Sequence, residues 1–526
     1  MEESRINVLG DDEMLSIFEY LSSETLKIAT LVCKRWNEII GTHASTMRKF
    51  PLVIDSKNKM EQVCNAEFKL TRSYHSIILD NIPIDKAFVE KLTKYCSNTQ
   101  HFVMKRFFLT GHQFILILNS LQLCQILDIR YCYLLEENFE IVLEENFEIV
   151  PSTPKLLKRL VLSFCWRINK IIANSGVQFR ELELSVGYNP FTHNRILEKL
   201  LSNQIYLESL SLIIFSSTHL ELFKLLADYN FKSYLKKFSI EWKVGSWKVN
   251  HYDSNAIVKQ YLKLLKNHSS TLKELEFDNF FMKDDIINFI IKHMKLEKLK
   301  IRFDFTTLFP TSYEMHINKH LKFLEIDCTD CVRSLCSADD FAQCFPNLER
   351  LTISLNENCN DIFLHSAADS WNGLKYLEIG NGKINLSQLK FKHLQTICIK
   401  ICNGKWTQEI TGWKEFLINN PSIENAYLGK ITQKKQIKNL VCGVDADISQ
   451  QITTPINVKH LKLIMIFKLT QNMLKMILKT YPNMEHLEII YYTPNFMEDI
   501  SKNVEFSQGI RITYQEYENP ILIDSF

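Results

Sequence analysis

A six-residue pattern of apolar side chains recurs along most of this chain and limits the folds that the chain can adopt. Apolar residues occupy the first, fourth and sixth positions, and we find sixteen occurrences after residue 70. Each occurrence is long enough for one short strand, and each interval has room for a helix or an irregular segment. A chain of this kind is expected to bury its apolar residues by stacking each repeat against its neighbours. The first residues of the sixteen occurrences are Tyr74, Thr99, Cys124, Leu157, Phe179, Leu207, Leu235, Leu272, Leu296, Leu321, Leu348, Leu374, Leu394, Ile423, Val458 and Met484.

The early repeats are evenly spaced except where the sequence contains a tandem duplication. Repeats begin at 74, 99 and 124, which are 25 residues apart, but the next begins at 157. Residues 135–142 are repeated identically as 143–150, and removal of one copy restores the 25-residue interval. We therefore expect a lengthened connecting segment that leaves the strands in register. A further match at Lys49, Leu52 and Ile54 would add a unit at the front.

The pattern resembles the leucine-rich repeat, which implies an α/β solenoid: a horseshoe with parallel strands on its concave face and helices on its convex face. Sixteen strands spaced about 4.8 Å apart would span an arc on the order of 75 Å. Residues 256–265 and 286–294 have helical periodicity and are expected between strands. The long units at 235–272 and 423–458 are expected to bulge as loops, and a match at Ile437, Leu440 and Cys442 would divide the second.

Four units carry a polar or sulfur-containing residue at the ninth position of the pattern, which is typical of cysteine-containing leucine-rich repeats. The resemblance implies that this residue bonds the backbone where the chain leaves the strand, although a thiol does so only weakly. These residues are Cys132, Cys165, Asn356 and Cys402.

The first fifty residues follow a different period, with apolar residues recurring at steps of three and four. This spacing predicts three short amphipathic helices. Asp11 and Asp12 favour a helix start, and Ser22, Ser23 and Thr25 offer capping hydroxyls. A module of this size is not expected to stabilise itself without a partner surface or the following repeats.

This segment resembles the F-box, whose usual form begins Leu-Pro-x-Glu-x-Leu-x-x-Ile-Phe-x-x-Leu and ends Leu-Val-Cys-Lys-x-Trp. The chain departs from that form at Gly10, Asp12, Met14 and Thr25, and only Gly10 removes a feature, because proline would pre-order the approach to the first helix. The resemblance implies docking on a Skp-type adaptor and, through it, on a cullin with its RING subunit. The residues expected to contact the adaptor or to form the module's own core are Leu9, Met14, Ile17, Phe18, Leu21, Leu31, Val32 and Trp36. A three-helix cap packed on the repeats is the alternative.

Charged residues form stripes where the third, fifth and seventh residues of a repeat should project from the sheet. One unit has Glu274, Glu276 and Asp278, and the next has Lys298, Lys300 and Arg302. Phe323, Glu325 and Asp327 follow in the third unit. The stripes either satisfy one another or form a docking patch for an acidic or phosphorylated client. Trp242 and Trp247, and likewise Trp406 and Trp413, are either a second contact surface or buried core.

No sequence feature indicates chemistry. The chain has no GxGxxG, GxxxxGK[ST], HExxH or GxSxG motif, and no cofactor is expected. Cys328, Cys331, Cys336 and Cys344 are too irregularly spaced for a zinc site and are interpreted as buried fillers. A net charge of +2 gives no reason to expect nucleic acid or a membrane surface as a partner. Scattered cysteines and the absence of a signal peptide favour a cytoplasmic or nuclear protein.

Together these patterns predict an F-box at 4–50, a leucine-rich-repeat solenoid of about sixteen units at 51–512 and a C-terminal tail at 513–526. The resemblance implies a non-catalytic substrate receptor of an SCF (Skp-cullin-F-box) ubiquitin ligase, which binds an unknown client and promotes its ubiquitination by proximity. The alternative is an interaction scaffold that engages no cullin. A hydrolase or transferase on the same scaffold has no supporting motif.

Overall fold

The structure is a computed structural model of the whole chain. It describes every residue except 1–8, 66–73, 136–155, 166, 187–189, 203, 216–219, 229–234, 244–250, 279–280, 282–283, 304–315, 329–341, 355–356, 381–383, 401–409, 432–455, 466–470, 492–510 and 517–526. The chain forms two compact units, Met1–His268 and Ser269–Phe526.

The first unit begins with four short helices that confirm the predicted helical module and add one turn to it. They are α1 (Asp11–Tyr20), α2 (Ser23–Ala29), α3 (Lys34–Thr42) and α4 (Ala44–Met47). The Ser22 hydroxyl accepts a hydrogen bond from the Thr25 amide at 3.2 Å and so caps α2.

Eight parallel strands follow in the first unit, each paired with the next one along the ladder. They are β1 (Leu52–Ile54), β2 (Ser76–Asp80), β3 (His101–Lys105), β5 (Ile126–Arg130), β7 (Leu156–Ser163), β8 (Gln178–Val186), β9 (Ser209–Ile214) and β10 (Lys237–Trp242). Two-residue strands β4 (Phe108–Leu109) and β6 (Tyr133–Leu134) pair separately. Pairing of β1 with β2 confirms the unit that was expected at the front.

The duplicated segment does not interrupt the ladder, as predicted. Most of it lies outside the described residues, but β5 and β7 on either side pair directly, with Leu127 opposite Leu160.

Helices connect most strands of the first unit and bury one face each. They are α5 (Lys57–Asn65), α6 (Lys86–Tyr95), α7 (Gly111–Ser120), α8 (Ile168–Asn174), α9 (Pro190–Ser202), α10 (Leu220–Asp228) and α11 (His251–His268). Helix α11 confirms the helix expected at 256–265 and extends it to eighteen residues, whereas residues 244–250 of the same long unit, where a loop could bulge, lie outside the described residues.

The second unit is a ladder of ten parallel strands. They are β11 (Glu274–Asp278), β12 (Lys298–Phe303), β13 (Phe323–Cys328), β14 (Arg350–Ser354), β15 (Tyr376–Gly380), β17 (Thr396–Lys400), β19 (Asn425–Ile431), β20 (His460–Met465), β21 (His486–Tyr491) and β22 (Arg511–Glu516). Strands β16 (Ile384–Asn385) and β18 (Ile410–Thr411) form a separate pair. The helices are α12 (Asp284–His293), α13 (Glu357–Ser370), α14 (Trp413–Asn419) and α15 (Gln471–Thr480).

The leucine-rich-repeat fold expected from the apolar pattern is confirmed by the strand register. All sixteen predicted occurrences contain a strand, and equivalent apolar residues lie opposite one another, as with Leu275, Leu299 and Leu324. The boundary predicted at 512 falls inside β22, so the ladder extends four residues into the segment expected to be a tail. The possible unit at 437–442 lies outside the described residues.

Candidate functional site

Helices α1, α2 and α3 enclose a hydrophobic core made from their own residues. Met14 and Phe18 from α1 meet Leu26 and Ala29 from α2 and Ile39 and Ile40 from α3, and all six are buried. The Phe18 ring packs edge-on against Trp36, with the ring centroids 5.3 Å apart. All six buried residues come from the module itself, so this core is formed without residues of the repeats.

A second group of apolar residues on the same helices stays exposed. Leu31 is 84% exposed, Ile28 66%, Val32 58% and Ile17 41%. Leu31 and Val32 continue the helical turn beyond α2, since their amides donate to the carbonyl oxygens of Ile28 and Ala29 at 2.9 and 3.2 Å. Tyr20, near the end of α1, is also exposed. We call these five residues, Ile17, Tyr20, Ile28, Leu31 and Val32, the apolar patch.

The structure divides the predicted adaptor contacts into three groups. Ile17, Leu31 and Val32 belong to the apolar patch, whereas Met14 and Phe18 are sealed in the core and have no surface to offer a partner. Leu9, Leu21 and Trp36 are half-buried against that core. Sequence reasoning did not select Tyr20 or Ile28; Ile28 precedes Leu31 by three residues, and that spacing was the available signal.

An ion pair holds the approach to α1 where the family pattern has proline. The Arg35 guanidinium donates from Nε and Nη2 to Asp11 Oδ1 at 2.9 and 2.7 Å, and Nη2 also donates to the Leu9 carbonyl at 2.6 Å. Arg35 thereby ties the start of α1 to α3, a connection that partly compensates for the more flexible Gly10.

The charged stripes of the second unit lie side by side, as their spacing predicted. Glu276, Lys300 and Glu325 are aligned across β11, β12 and β13. Lys300 Nζ is 2.7 Å from a Glu325 carboxylate oxygen and 3.5 Å from Glu276, and Arg302 Nη2 is 2.5 Å from the same Glu276 oxygen. Lys300 and Arg302 are therefore committed to acids of their own sheet, which favours mutual satisfaction over docking for this pair.

Asp327 lies at the end of the same stripes in a more enclosed position. Burial raises the pKa of the Asp327 carboxyl, and the neighbouring Arg302 and Lys300 oppose that shift. The side chain of Ser354 also forms a hydrogen bond with Asp327.

A row of alternating cations and aromatic rings runs beside these ion pairs. Lys298 Nζ lies 4.7 Å from the centre of the Phe323 ring. Arg350 lies with Cζ 5.0 Å from that ring and 4.0 Å from the ring of Tyr376. Lys298, Phe323, Arg350 and Tyr376 occupy equivalent positions on four consecutive strands, since each lies opposite the next in register. We call these four residues the cation–aromatic row.

Tyr376 also forms a hydrogen bond with an acidic residue of its own strand, Glu378. Its hydroxyl donates to Glu378 Oε2 at 2.7 Å, and Lys400 Nζ is 2.5 Å from Glu378 Oε1. Burial and this hydrogen bond raise the pKa of the Tyr376 hydroxyl, so the phenol stays protonated as a donor.

The remaining predicted contacts are divided between packed and undescribed residues. Trp242 is half-buried and stacks on Phe223 with centroids 6.2 Å apart. Trp413 is buried, and its indole nitrogen donates to the Tyr481 hydroxyl at 3.0 Å, so it belongs to the core. Trp247 and Trp406 lie outside the described residues. Glu274 is half-buried on β11 and lies opposite Lys298 in register.

Two of the described cysteines contact the backbone as the repeat pattern predicts. Cys132 Sγ is 3.5 Å from the Met104 carbonyl oxygen, and Cys165 Sγ is 3.0 Å from that of Ile129. These contacts confirm the ninth-position role at both sites, whereas Asn356 and Cys402 are not described. Cys344 is buried, Cys331 and Cys336 lie outside the described residues, and no cluster of metal-binding side chains occurs among the described residues.

Comparison with known proteins assigns the N-terminal helices. Residues 11–50 match the family model described as F-box-like, and this part of the chain is an F-box-like domain. A search of curated protein sequences found no significant match. The chain is similar to a chain of the yeast Rad7–Elc1 complex, with 12% identity and a TM-score of 0.33 over 68% of this chain and 80% of that one. It is also similar to a chain of the mouse RP105/MD-1 complex, with 11% identity and a TM-score of 0.31 over 86% and 77%.

These structural similarities are too weak to support the fold, which rests on the strand register. None of the comparisons indicates a catalytic family. Across the described ranges, no helix has both the length and the hydropathy needed to cross a bilayer.

Proposed function

We propose that this chain is the substrate-recognition subunit of an SCF-type ubiquitin ligase. The F-box-like domain docks a Skp-type adaptor that connects to a cullin and its RING subunit, and the repeats hold a client protein. The observation that carries the proposal is the apolar patch, which stays exposed on a domain whose own core is already complete.

The burial pattern argues against a domain that serves only as a cap. A cap would place its outward apolar side chains under the first strands, but Leu31, Ile28 and Val32 are more than half exposed. Burial of a large apolar side chain contributes about 1.5–3 kcal/mol, and part of this offsets the loss of freedom on association. Three such residues can therefore supply most of the affinity for a helical partner.

The chain's part in ubiquitination would be to position the client. A receptor that holds adaptor and client together raises the effective concentration of client lysines near the charged conjugating enzyme. This role requires no reacting group on the receptor itself.

Substitution of Leu31 tests the adaptor half of the proposal. Leu31→Asp places a charge at an exposed position, so the domain should stay folded while adaptor affinity falls about 30- to 100-fold, equivalent to about 2–3 kcal/mol. The measurement is co-purification of adaptor and cullin with the full-length protein. Phe18→Asp is unsuitable, because it would unfold the core.

Leu123→Asp is the matched control, because Leu123 is a leucine of the repeats that is 55% exposed. It should leave adaptor and cullin capture unchanged. Capture of the adaptor without a cullin would indicate the interaction scaffold. Capture of neither by the unsubstituted protein would overturn the adaptor assignment.

A further inference from the structure

Two cations on the sheet of the second unit are held in place without a close carboxylate. Among the described residues, Lys298 contacts the Phe323 ring and has no carboxylate within ion-pair distance. Arg350 lies between the rings of Phe323 and Tyr376, and its contact with Glu378 Oε2 is long, at 4.0 Å. The neighbouring Lys300, Arg302 and Lys400 all have a carboxylate oxygen within 2.7 Å.

The acids nearest to the cation–aromatic row are already engaged. Glu378 accepts from the Tyr376 hydroxyl at 2.7 Å and pairs with Lys400 at 2.5 Å, and its side chain is only 7% exposed. Glu274 lies opposite Lys298 in register, yet Lys298 is directed over the ring of Phe323 on the other neighbouring strand. Lys298 has no close carboxylate and Arg350 shares Glu378 with Lys400, so among the described residues the row keeps positive charge that its own sheet does not neutralise.

The Arg350 guanidinium is held in position by two aromatic rings. Its Cζ lies 5.0 Å from the centre of the Phe323 ring and 4.0 Å from the centre of the Tyr376 ring, and half of its side chain is exposed. A guanidinium with its donors free binds the oxygens of a planar or tetrahedral anion in a fork. Because the rings already restrict its motion, less conformational entropy is lost when the anion binds.

Lys298 and Arg350 are close enough to act on one anionic group. Each lies about 5 Å from the centre of the same Phe323 ring, so their charges are no more than about 10 Å apart. Two like charges at this separation raise the local potential, and a ligand that carries two negative charges relieves it best. A phosphate monoester carries close to two charges at pH 7, whereas a carboxylate carries one.

We propose that the cation–aromatic row binds a phosphorylated side chain of the client, with Arg350 as the fork and Lys298 as the second cation. This deepens the proposed function and rests on it, because only a substrate receptor has a client to bind. The phosphate site itself is tested without the ligase. It also changes the expected docking residues, because Lys300 and Arg302 of the charged stripes are occupied by Glu276 and Glu325.

The experiment presents immobilised peptide pools to the full-length protein. One pool has a fixed central phosphoserine with randomised flanks, and two matched pools have serine or glutamate at that place. We expect the phosphoserine pool to retain about tenfold more protein than either matched pool. The double variant Lys298→Gln/Arg350→Gln should fall to the level of the serine pool, and Arg350→Lys, which keeps the charge but loses the fork, should fall part of the way.

Lys462→Gln is the matched control, because Lys462 also projects from the sheet of this unit but is paired with Glu488 at 3.0 Å. It should capture phosphopeptides as the unsubstituted protein does. Equal capture by the phosphoserine and glutamate pools, or capture that survives the double substitution, would overturn the proposal.

Adaptor capture is read in the same samples. Thermal unfolding of the double variant is also measured, because adaptor capture reports only on the F-box-like domain of the first unit. A double variant that unfolds like the unsubstituted protein is folded, so its loss of phosphopeptide is specific to the row. If the protein captures phosphopeptide but no adaptor, the ligase assignment fails and the phosphate site stands.

Discussion

Gly10 precedes the first helix of the F-box-like domain in a backbone conformation that other residues can adopt. Its φ and ψ are −66° and 166°, and an added Cβ would meet only Glu13 Oε2, at 3.5 Å. The Gly10 amide donates to the Glu13 carboxylate at 2.7 Å. This is half of a capping box, and the half that needs a side chain at position 10 is missing.

Gly10→Ser should complete the capping box and stabilise α1 by about 0.5–1 kcal/mol, because the hydroxyl can accept from the Glu13 amide and the unfolded chain loses freedom. Slower amide hydrogen exchange in α1 is the measurement. Gly10→Pro is the comparison: proline fits the observed φ but removes the donor to Glu13, so it should gain less. Stronger protection in the proline variant would show that chain stiffness and not capping governs this site.

Individual side chains of the domain could be selected from sequence, but not assigned to core or surface. One wide apolar stripe contains Met14, Ile17, Phe18 and Leu21. Which of these residues face the core depends on how the three helices cross. That crossing buries Phe18 and exposes Ile17 one residue away. Likewise, the choice of Lys298 between Glu274 and Phe323 depends on side-chain packing, which no spacing reveals.

Among the secondary-structure elements, the residues that leave the strands have a recurring backbone conformation. Asn81, Arg106, Tyr131 and Phe164 all have positive φ, from 49° to 62°, and follow four strands of the first ladder. The amides of Asn81, Arg106 and Tyr131 donate to carbonyl oxygens of the next strand. This turn places the ninth residue, Cys132 or Cys165, under the ladder.

Cys165→Ala should weaken the connection between β5 and β7 by about 1–2 kcal/mol, because it removes a weak donor and leaves a small void. The thiol lies 3.0 Å from the Ile129 carbonyl oxygen and 3.1 Å from that of Ser163, and burial raises its pKa, so it stays protonated. Faster amide exchange in these two strands is the expected readout. Cys33→Ala, at an exposed cysteine, is the control and should change nothing. Unchanged exchange in Cys165→Ala would mean that the thiol only fills space.

The strands were predictable because a buried parallel ladder demands the same apolar positions in every repeat. Elements that do not need this repeated apolar pattern were not predicted from the sequence. The two-residue pairs β4 with β6 and β16 with β18 are too short to show a period. Strand β22 lacks the full six-residue pattern, although Ile512 and Tyr514 alternate with polar residues.

At the scale of the whole molecule, the two proposed binding functions rest on different forces in different units. The apolar patch belongs to the first unit, and the cation–aromatic row belongs to the second. The division at 268 was not predictable from the repeat, because the apolar pattern of the sequence is the same on both sides of that residue. The functional separation was partly predictable, since apolar and charged patterns occupy different parts of the sequence.

This separation predicts opposite responses to salt. Raising NaCl from about 0.1 M to about 0.5 M shortens the Debye length from about 10 Å to roughly half of that, which weakens contacts between charged groups but not apolar burial. Phosphopeptide capture should therefore fall severalfold, while adaptor capture should stay within about twofold because apolar contacts dominate it. Both are measured on one preparation, so folding is common to the two readings. If the adaptor is lost as steeply as the peptide, charge and not the apolar patch holds it; if the peptide is retained at high salt, the row does not bind through its two cations.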